Sequence, residues 1–381
     1  MQKPRPSSRT RVRPFLLGCA LALGAGCAAT NPAITTPVAN APAERIQMEP
    51  LTVEAVGAGE TRRIEAYDAG SIFEKAGADL QAEKWDDAVA GYDRLVAQFP
   101  DSRYVVSALY NGGLACEGKK DWSCAVTHYR TLVEKHRETR DALDALFRMG
   151  QCLAEMGNWA ASGDAFAQVL EHKDIGVEDR FEATTRRGLA QYNVKDAPAA
   201  ERTFREVLTV YRAHEAEERI DNVFFVAMSQ YYLAEIAHDE FRALPIRLPE
   251  GQMKKDLEAK AQRLLISQAR YVDVARLRHP AWATAAGFQM ASLYKEMYQA
   301  IMDAPVPKMS DEYKQVYLEE LKKTIEPLLR RAIHAHELTQ QVAERSGVDN
   351  EWVRKSNEQL EQLRSLVTPE AGARPPAATP P

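Results

Sequence analysis

Cysteine is scarce, with five in 381 residues, two of them within the first 27. The later three, Cys116, Cys124 and Cys152, do not show metal-ligand spacing, so no metal is expected. No Gly-rich phosphate loop, Gly-x-Ser-x-Gly elbow or His-Glu-x-x-His pair is present. His334 and His336 stand two apart on a helical stretch, which turns them about 200° from one another. They therefore cannot share an ion without unwinding. His136, His172, His214 and His238 stand near expected helix ends or among charges, where solvated roles are usual. Without a site constellation the reading is non-enzymatic, with no cofactor and no catalytic residues. No apolar run approaches the roughly 20 residues of a membrane-spanning helix. No segment alternates apolar and polar residues for more than a few positions, so the expected fold is all-α.

Repetition is abundant. Between Ile72 and Leu170 a pattern recurs at a spacing of 37 residues. Trp85, Trp122 and Trp159 keep it. So do Ala76, Gly113 and Gly150, then Ala88, Ala125 and Ser162, then Tyr92, Tyr129 and Phe166. Self-similarity at this period marks stacked helix pairs, each too small to bury its apolar face alone. Around Trp122, the small Gly113 and Ala125 allow two antiparallel helices to approach. Tyr129 and Leu132 continue the stripe from Ala125. The polar turn Gly118-Lys119-Lys120-Asp121 separates the two helices, and Met156-Gly157-Asn158 does so one repeat later. Gly ends one helix and Asp or Asn caps the next. A fourth copy keeps Gly188, Ala200, Phe204 and Val207, with Ala197 in the Trp slot and Pro198 in the first turn.

On these residues the stretch resembles the tetratricopeptide repeat family. Leu109, Gly113, Ala125 and Tyr129 fill the middle slots of its pattern, and Pro100 the closing slot of the first copy, where Arg137 replaces it in the second. The resemblance implies a helical-hairpin solenoid over residues 62–213. In that family the first helices of successive repeats line a groove that receives a peptide or a partner's helix. By position this carries over to Phe73, Tyr110, Glu117, Phe147, Gln151, Glu155, Tyr192 and Asn193. Aromatics interleaved with acids suit a segment with apolar anchors and some basic residues. Packing of Phe73, Tyr110 and Phe147 between repeats is the other reading of the same column.

The N-terminus reads as an export signal, residues 1–27. Lys3, Arg5, Arg9, Arg11 and Arg13 head an apolar run from Phe15 to Gly26. Leu23-Gly24-Ala25-Gly26-Cys27 resembles a bacterial lipobox, which implies lipidation of Cys27. Leu16-Leu17-Gly18-Cys19 also resembles one but leaves almost no apolar run ahead of it. Ala28 and Ala29, rather than Asp, follow Cys27. By resemblance to enterobacterial sorting this implies the periplasmic face of the outer membrane. Residues 28–61 are rich in Ala, Thr and Pro and read as a flexible linker spanning about 30 Å. Beyond the basic head, 44 of the 49 basic residues face all 54 acidic ones, a net of −10. Such a surface repels nucleic acid and anionic lipid, which leaves the acyl anchor as the membrane contact.

Residues 214–367 read as longer, divergent helices. The segments are Arg219 to Ala243, Leu257 to Arg278, a helix opened by Pro280, Asp311 to Arg345 with a kink at Pro327, and Glu351 to Val367. Residues 368–381 read as a disordered tail. Cys116 and Cys124 flank the second turn, close enough to bridge in an oxidising compartment; two buried small residues are the alternative. The layout of lipobox, linker, repeats and long-helix half resembles repeat lipoproteins of myxobacteria, including those of gliding machinery. Asp303-Ala304-Pro305-Val306-Pro307 and Asn350-Glu351-Trp352 carry that likeness. It implies a scaffold that binds envelope proteins. An assembly factor remains open, either a pilotin for a secretin or a component of β-barrel insertion.

Overall fold

The computed structural model describes residues 50–56, 63–173, 175–215, 220 and 222–367. The signal, Cys19, Cys27, residues 28–49 of the linker reading and the tail 368–381 lie outside the described residues. The described residues belong to one compact unit that starts at Glu49.

Two strands come first, β1 (Leu51–Val56) and β2 (Arg63–Asp68), paired antiparallel with Thr52 opposite Tyr67 and Glu54 opposite Glu65. This corrects the expectation of no strands, and β1 occupies ground read as linker. Six-residue strands are too short for periodicity to separate them from loop. Tyr67 fixes the hairpin to the helices, with its ring edge-on to Phe99 and the Arg94 guanidinium 3.9 Å above it. Arg94 also pairs with Glu54.

Thirteen helices follow among the described residues. Four hairpins are α1 (Ala69–Gln81) with α2 (Trp85–Gln98), α3 (Val105–Gly118) with α4 (Trp122–Lys135), α5 (Arg140–Glu155) with α6 (Trp159–Glu171), and α7 (Val177–Asn193) with α8 (Ala197–Glu215). Each hairpin packs on the next, the architecture of a tetratricopeptide-like solenoid. The repeated columns have repeated causes. Gly113, Gly150 and Gly188 each face the aromatic sixteen residues on, and a Cβ on Gly150 would lie 2.8 Å from the Phe166 ring, on Gly188 2.7 Å from Phe204. Those aromatics are fully buried at Tyr92, Tyr129 and Phe204, and nearly so at Phe166. Trp85 opens α2 and lies across Gly118 of the next hairpin, where a Cβ would meet its ring at 2.7 Å.

Caps recur in register as well. Asp121 accepts from the Cys124 amide at 3.1 Å, Asn158 from Ala161 at 3.4 Å and Asp196 from Ala199 at 3.0 Å. Asp68 and Ser71 form a reciprocal capping box at the start of α1. The turn residue in the left-handed region is Glu83, Lys120, Gly157 and Lys195 in the four copies.

The C-terminal half contains α9 (Phe224–Ala243), α10 (Glu250–Arg276), α11 (Pro280–Met302), α12 (Asp311–Ser346) and α13 (Glu351–Val367). Compared with the sequence reading, α9 starts five residues later and α10 seven residues earlier. Pro249 stands at the N-cap of α10, so the helix begins directly after the Pro-flanked loop. Pro327 lies inside a 36-residue α12. None of the described helices is long and apolar enough to cross a membrane.

Candidate functional site

First helices of successive hairpins lie side by side, α1 against α3 and α3 against α5. A polar seam ties them. Arg148 on α5 donates from Nε to Tyr110 Oη at 3.0 Å and from Nη1 to Glu117 Oε2 at 2.9 Å, both on α3. Tyr129 on α4 donates to Glu117 Oε1 at 2.6 Å. Burial works against the charge on Arg148, but Glu117 and the two tyrosines outweigh it and hold the group cationic. Burial, reinforced by Glu117, pushes the Tyr129 hydroxyl up, so it stays a donor. One seam further on, Gln151 on α5 donates to Glu182 on α7 at 3.3 Å, and Arg186 donates to the same carboxylate oxygen at 2.8 Å.

The residues assigned to a groove by the family resemblance have different surroundings, and one of them is buried. Phe73, Tyr110 and Phe147 share a packing role, each ring 5.9 to 6.2 Å from the aromatic on the second helix of its own hairpin. Phe73 and Tyr110 remain half-buried, whereas Phe147 is 7% exposed. Phe147 is therefore a core residue, packed edge-on against Phe166. Glu117 and Gln151 are half-buried in the seam and Glu155 is exposed. Tyr192 donates to Asp239 on α9 at 2.6 Å and leans on Tyr232, while Asn193 bonds the Leu189 carbonyl at 2.8 Å. The face thus offers tyrosine edges and carboxylates on a rigid base.

Several features escaped the sequence reading. His238 is fully buried, with Nδ1 2.9 Å from Tyr271 Oη and Nε2 3.1 Å from Glu296, which corrects its solvated assignment. His334 is exposed while His336 is buried against Ser356, Nδ1 to Oγ 2.7 Å, so the pair does diverge. Cys116 and Cys124 are joined, their Cα atoms 5.7 Å apart, and Cys152 is a buried free thiol. His128 lies beside that bridge with a nitrogen of its ring close to both sulfurs. The four-residue step from Cys124 to His128 on one helix was the available signal. Apolar side chains also stand uncovered at the start of α12, where Tyr313 is 73% and Val316 60% exposed. Their spacing of three places them on one side of the helix. Two residues near the start of α13 pin it to α11. Asn350 donates to Thr284 at 2.9 Å and accepts from the Val353 amide, and Trp352 packs on Phe288.

The tetratricopeptide repeat model matches residues 67–102 and 144–172, which cover the first and third hairpins. No curated protein matches the chain. Solved structures similar to it include a tetratricopeptide repeat protein from Parabacteroides merdae, 12% identical over 77% of this chain and 98% of its own, with a TM-score of 0.38. The apo form of RapI is 10% identical over 78% and 97%, with a TM-score of 0.41. Pseudomonas aeruginosa pilF is 15% identical over 66% and 97%, with a TM-score of 0.34. Nothing about partners follows from likenesses at this level.

Proposed function

We propose that this chain is a non-enzymatic, lipid-anchored scaffold. Its repeats capture segments of partner proteins in a multi-protein complex on the periplasmic side of the outer membrane. The observation that carries the binding role is the seam of first helices. Glu117–Arg148 and Gln151–Glu182 lock α3, α5 and α7 side by side, so Tyr110, Gln151 and Glu155 stand on a surface prepared before a partner arrives. A preorganised face loses little side-chain entropy on binding. Tyrosine with carboxylates suits an extended or helical segment carrying an apolar anchor and basic residues. The anchor is assigned to Cys27 on the lipobox resemblance. Assignment to a gliding-motility machine rests on the layout it shares with the myxobacterial repeat lipoproteins.

Cross-linking in intact cells at native abundance, followed by recovery from membranes and counting of partners, tests this role. Several envelope proteins should be recovered in near-fixed ratio and lost together in a Tyr110→Ala, Glu155→Lys variant. Recovery of a single secretin or barrel client, only while that client is being made, would replace the scaffold with an assembly escort.

A further inference from the structure

Three donors suited to a borderline-soft metal meet beside the second turn. Cys116 lies on α3. Cys124 and His128 lie four residues apart on α4, a step that stacks their side chains on one helix face. The two sulfurs and a ring nitrogen of His128 lie within 4.8 Å of one another. Asp93 reaches the same imidazole from α2, its Oδ1 3.3 Å from Nε2. Gly112 makes room for the ring, since a Cβ there would lie 2.8 Å from His128 Cε1. Burial pushes the His128 pKa down, with the Asp93 charge opposing it. Two thiolates and a neutral imidazole are zinc ligands, and a carboxylate against such an imidazole fixes its orientation and raises its basicity. The Cα separation of 5.7 Å that permits a disulfide also lets both sulfurs reach one ion.

We propose that the dithiol form of the second hairpin binds one Zn2+ through Cys116, Cys124 and His128, with Asp93 orienting the imidazole and a water completing the tetrahedron, and that the Cys116–Cys124 disulfide excludes the ion. The exchange balances. A dithiol reductant supplies two electrons and two protons, cleaves the S–S bond and becomes a disulfide itself. Zn2+ then displaces the two thiol protons to solvent as two Zn–S bonds form. An oxidised dithiol partner reverses the sequence, taking up two electrons and two protons as the S–S bond closes and the ion leaves. In both states α3 and α4 are cross-linked at the same place, by a covalent bond in one and by a metal in the other. Asp93 extends the metal-bound cross-link to α2, and hence to the neighbouring hairpin.

The test titrates the full chain with Co2+ and then Zn2+, in its oxidised form and after reduction by a phosphine that is removed anaerobically. The reduced chain should bind one Co2+ with the visible bands of a four-coordinate site and a thiolate charge-transfer band, both abolished by one equivalent of Zn2+. The oxidised chain should show neither. Asp93→Asn, which alters a largely exposed side chain, should weaken Zn2+ binding about 10- to 100-fold. Cys124→Ser should remove about half of the charge-transfer intensity. A reduced chain that keeps its helical circular dichroism yet takes up no more Co2+ than the oxidised chain would overturn the proposal. Retention of the full spectrum in Cys124→Ser would do the same. Alkylation of the reduced parent needs no variant: Zn2+ should protect Cys116 and Cys124 together, and unprotected sulfurs would place any bound ion elsewhere.

Discussion

At each hairpin turn one residue must adopt the left-handed conformation, with φ of 55° at Glu83, 62° at Lys120, 73° at Gly157 and 67° at Lys195. Only Gly157 adopts it without a Cβ penalty, which for other residues is about 1 kcal/mol or more. Gly157→Ala should therefore lower the unfolding free energy by about 1 kcal/mol, although nothing lies within 4 Å of the new methyl. Lys120→Gly should be mildly stabilising, and urea midpoints of the two variants should move in opposite directions or the turn is not strained. Gly113 tests packing instead. A side chain there runs into the Tyr129 ring, so Gly113→Leu should cost about 1–3 kcal/mol by overpacking, with an unaltered melting temperature as the refuting result. His336 adds a pH signature. Burial first, then the charge of Lys295, lower its pKa to about 4. The unfolded chain takes up a proton near pH 6.5 that the folded chain refuses until about pH 4. Stability should therefore be level above pH 6.5 and fall as pH drops from 6.5 to about 4. A His336→Gln variant should show a flatter profile across that window, measured as urea midpoint against pH.

Across α3 and α4 the disulfide closes a short loop, the bridged residues standing eight apart in sequence. The chain-entropy model gives about 2–3 kcal/mol for a loop of that length. Replacing both Cys116 and Cys124 with Ala should lower stability by about that amount and leave the helical signal intact; no change in the denaturation midpoint would mean that the bridge constrains nothing. This hairpin also shows what was legible in the sequence. Where one environment recurs, one column recurs, so Gly113, Tyr129 and the Asp121 cap announced their roles through copies 37 residues away. The β1–β2 hairpin has no copy and only six residues per strand, and its buried anchor Tyr67 is explained by Phe99 and Arg94 beyond its own segment. His238 misled for a similar reason. Its neighbours in sequence are charged, while the partners that bury it, Tyr271 and Glu296, come from α10 and α11. For Phe147 the sequence left groove and packing readings open, because a column at a fixed period identifies equivalent positions without saying how far each stands from solvent. The cysteine–histidine cluster draws on three helices, and only its Cys124-to-His128 step was local.

For the molecule as a whole, the rigid face and the proposed anchor must act together. If Cys27 carries an acyl group, Cys27→Ser should move the protein from the membrane fraction to the soluble periplasmic fraction while its repeats stay folded, since every helix described here lies beyond residue 68. Partner binding should then separate into two terms. On the proposed reading the contact is made by the surface that the Glu117–Arg148 seam supports, and it should survive the substitution when purified components are mixed. Assembly in the cell should fail, because confinement to a surface raises the effective concentration of a scaffold around its partners without adding any contact. Arg148→Met makes the reciprocal change. It should leave the protein in the membrane fraction but leave Glu117 half-buried without its counter-ion, loosening α5 from α3 and weakening binding in the purified mixture. Fractionation paired with binding assays distinguishes these outcomes. A Cys27→Ser protein still in the membrane fraction would remove the anchor from this reading, and an Arg148→Met protein that binds like the parent would remove the seam.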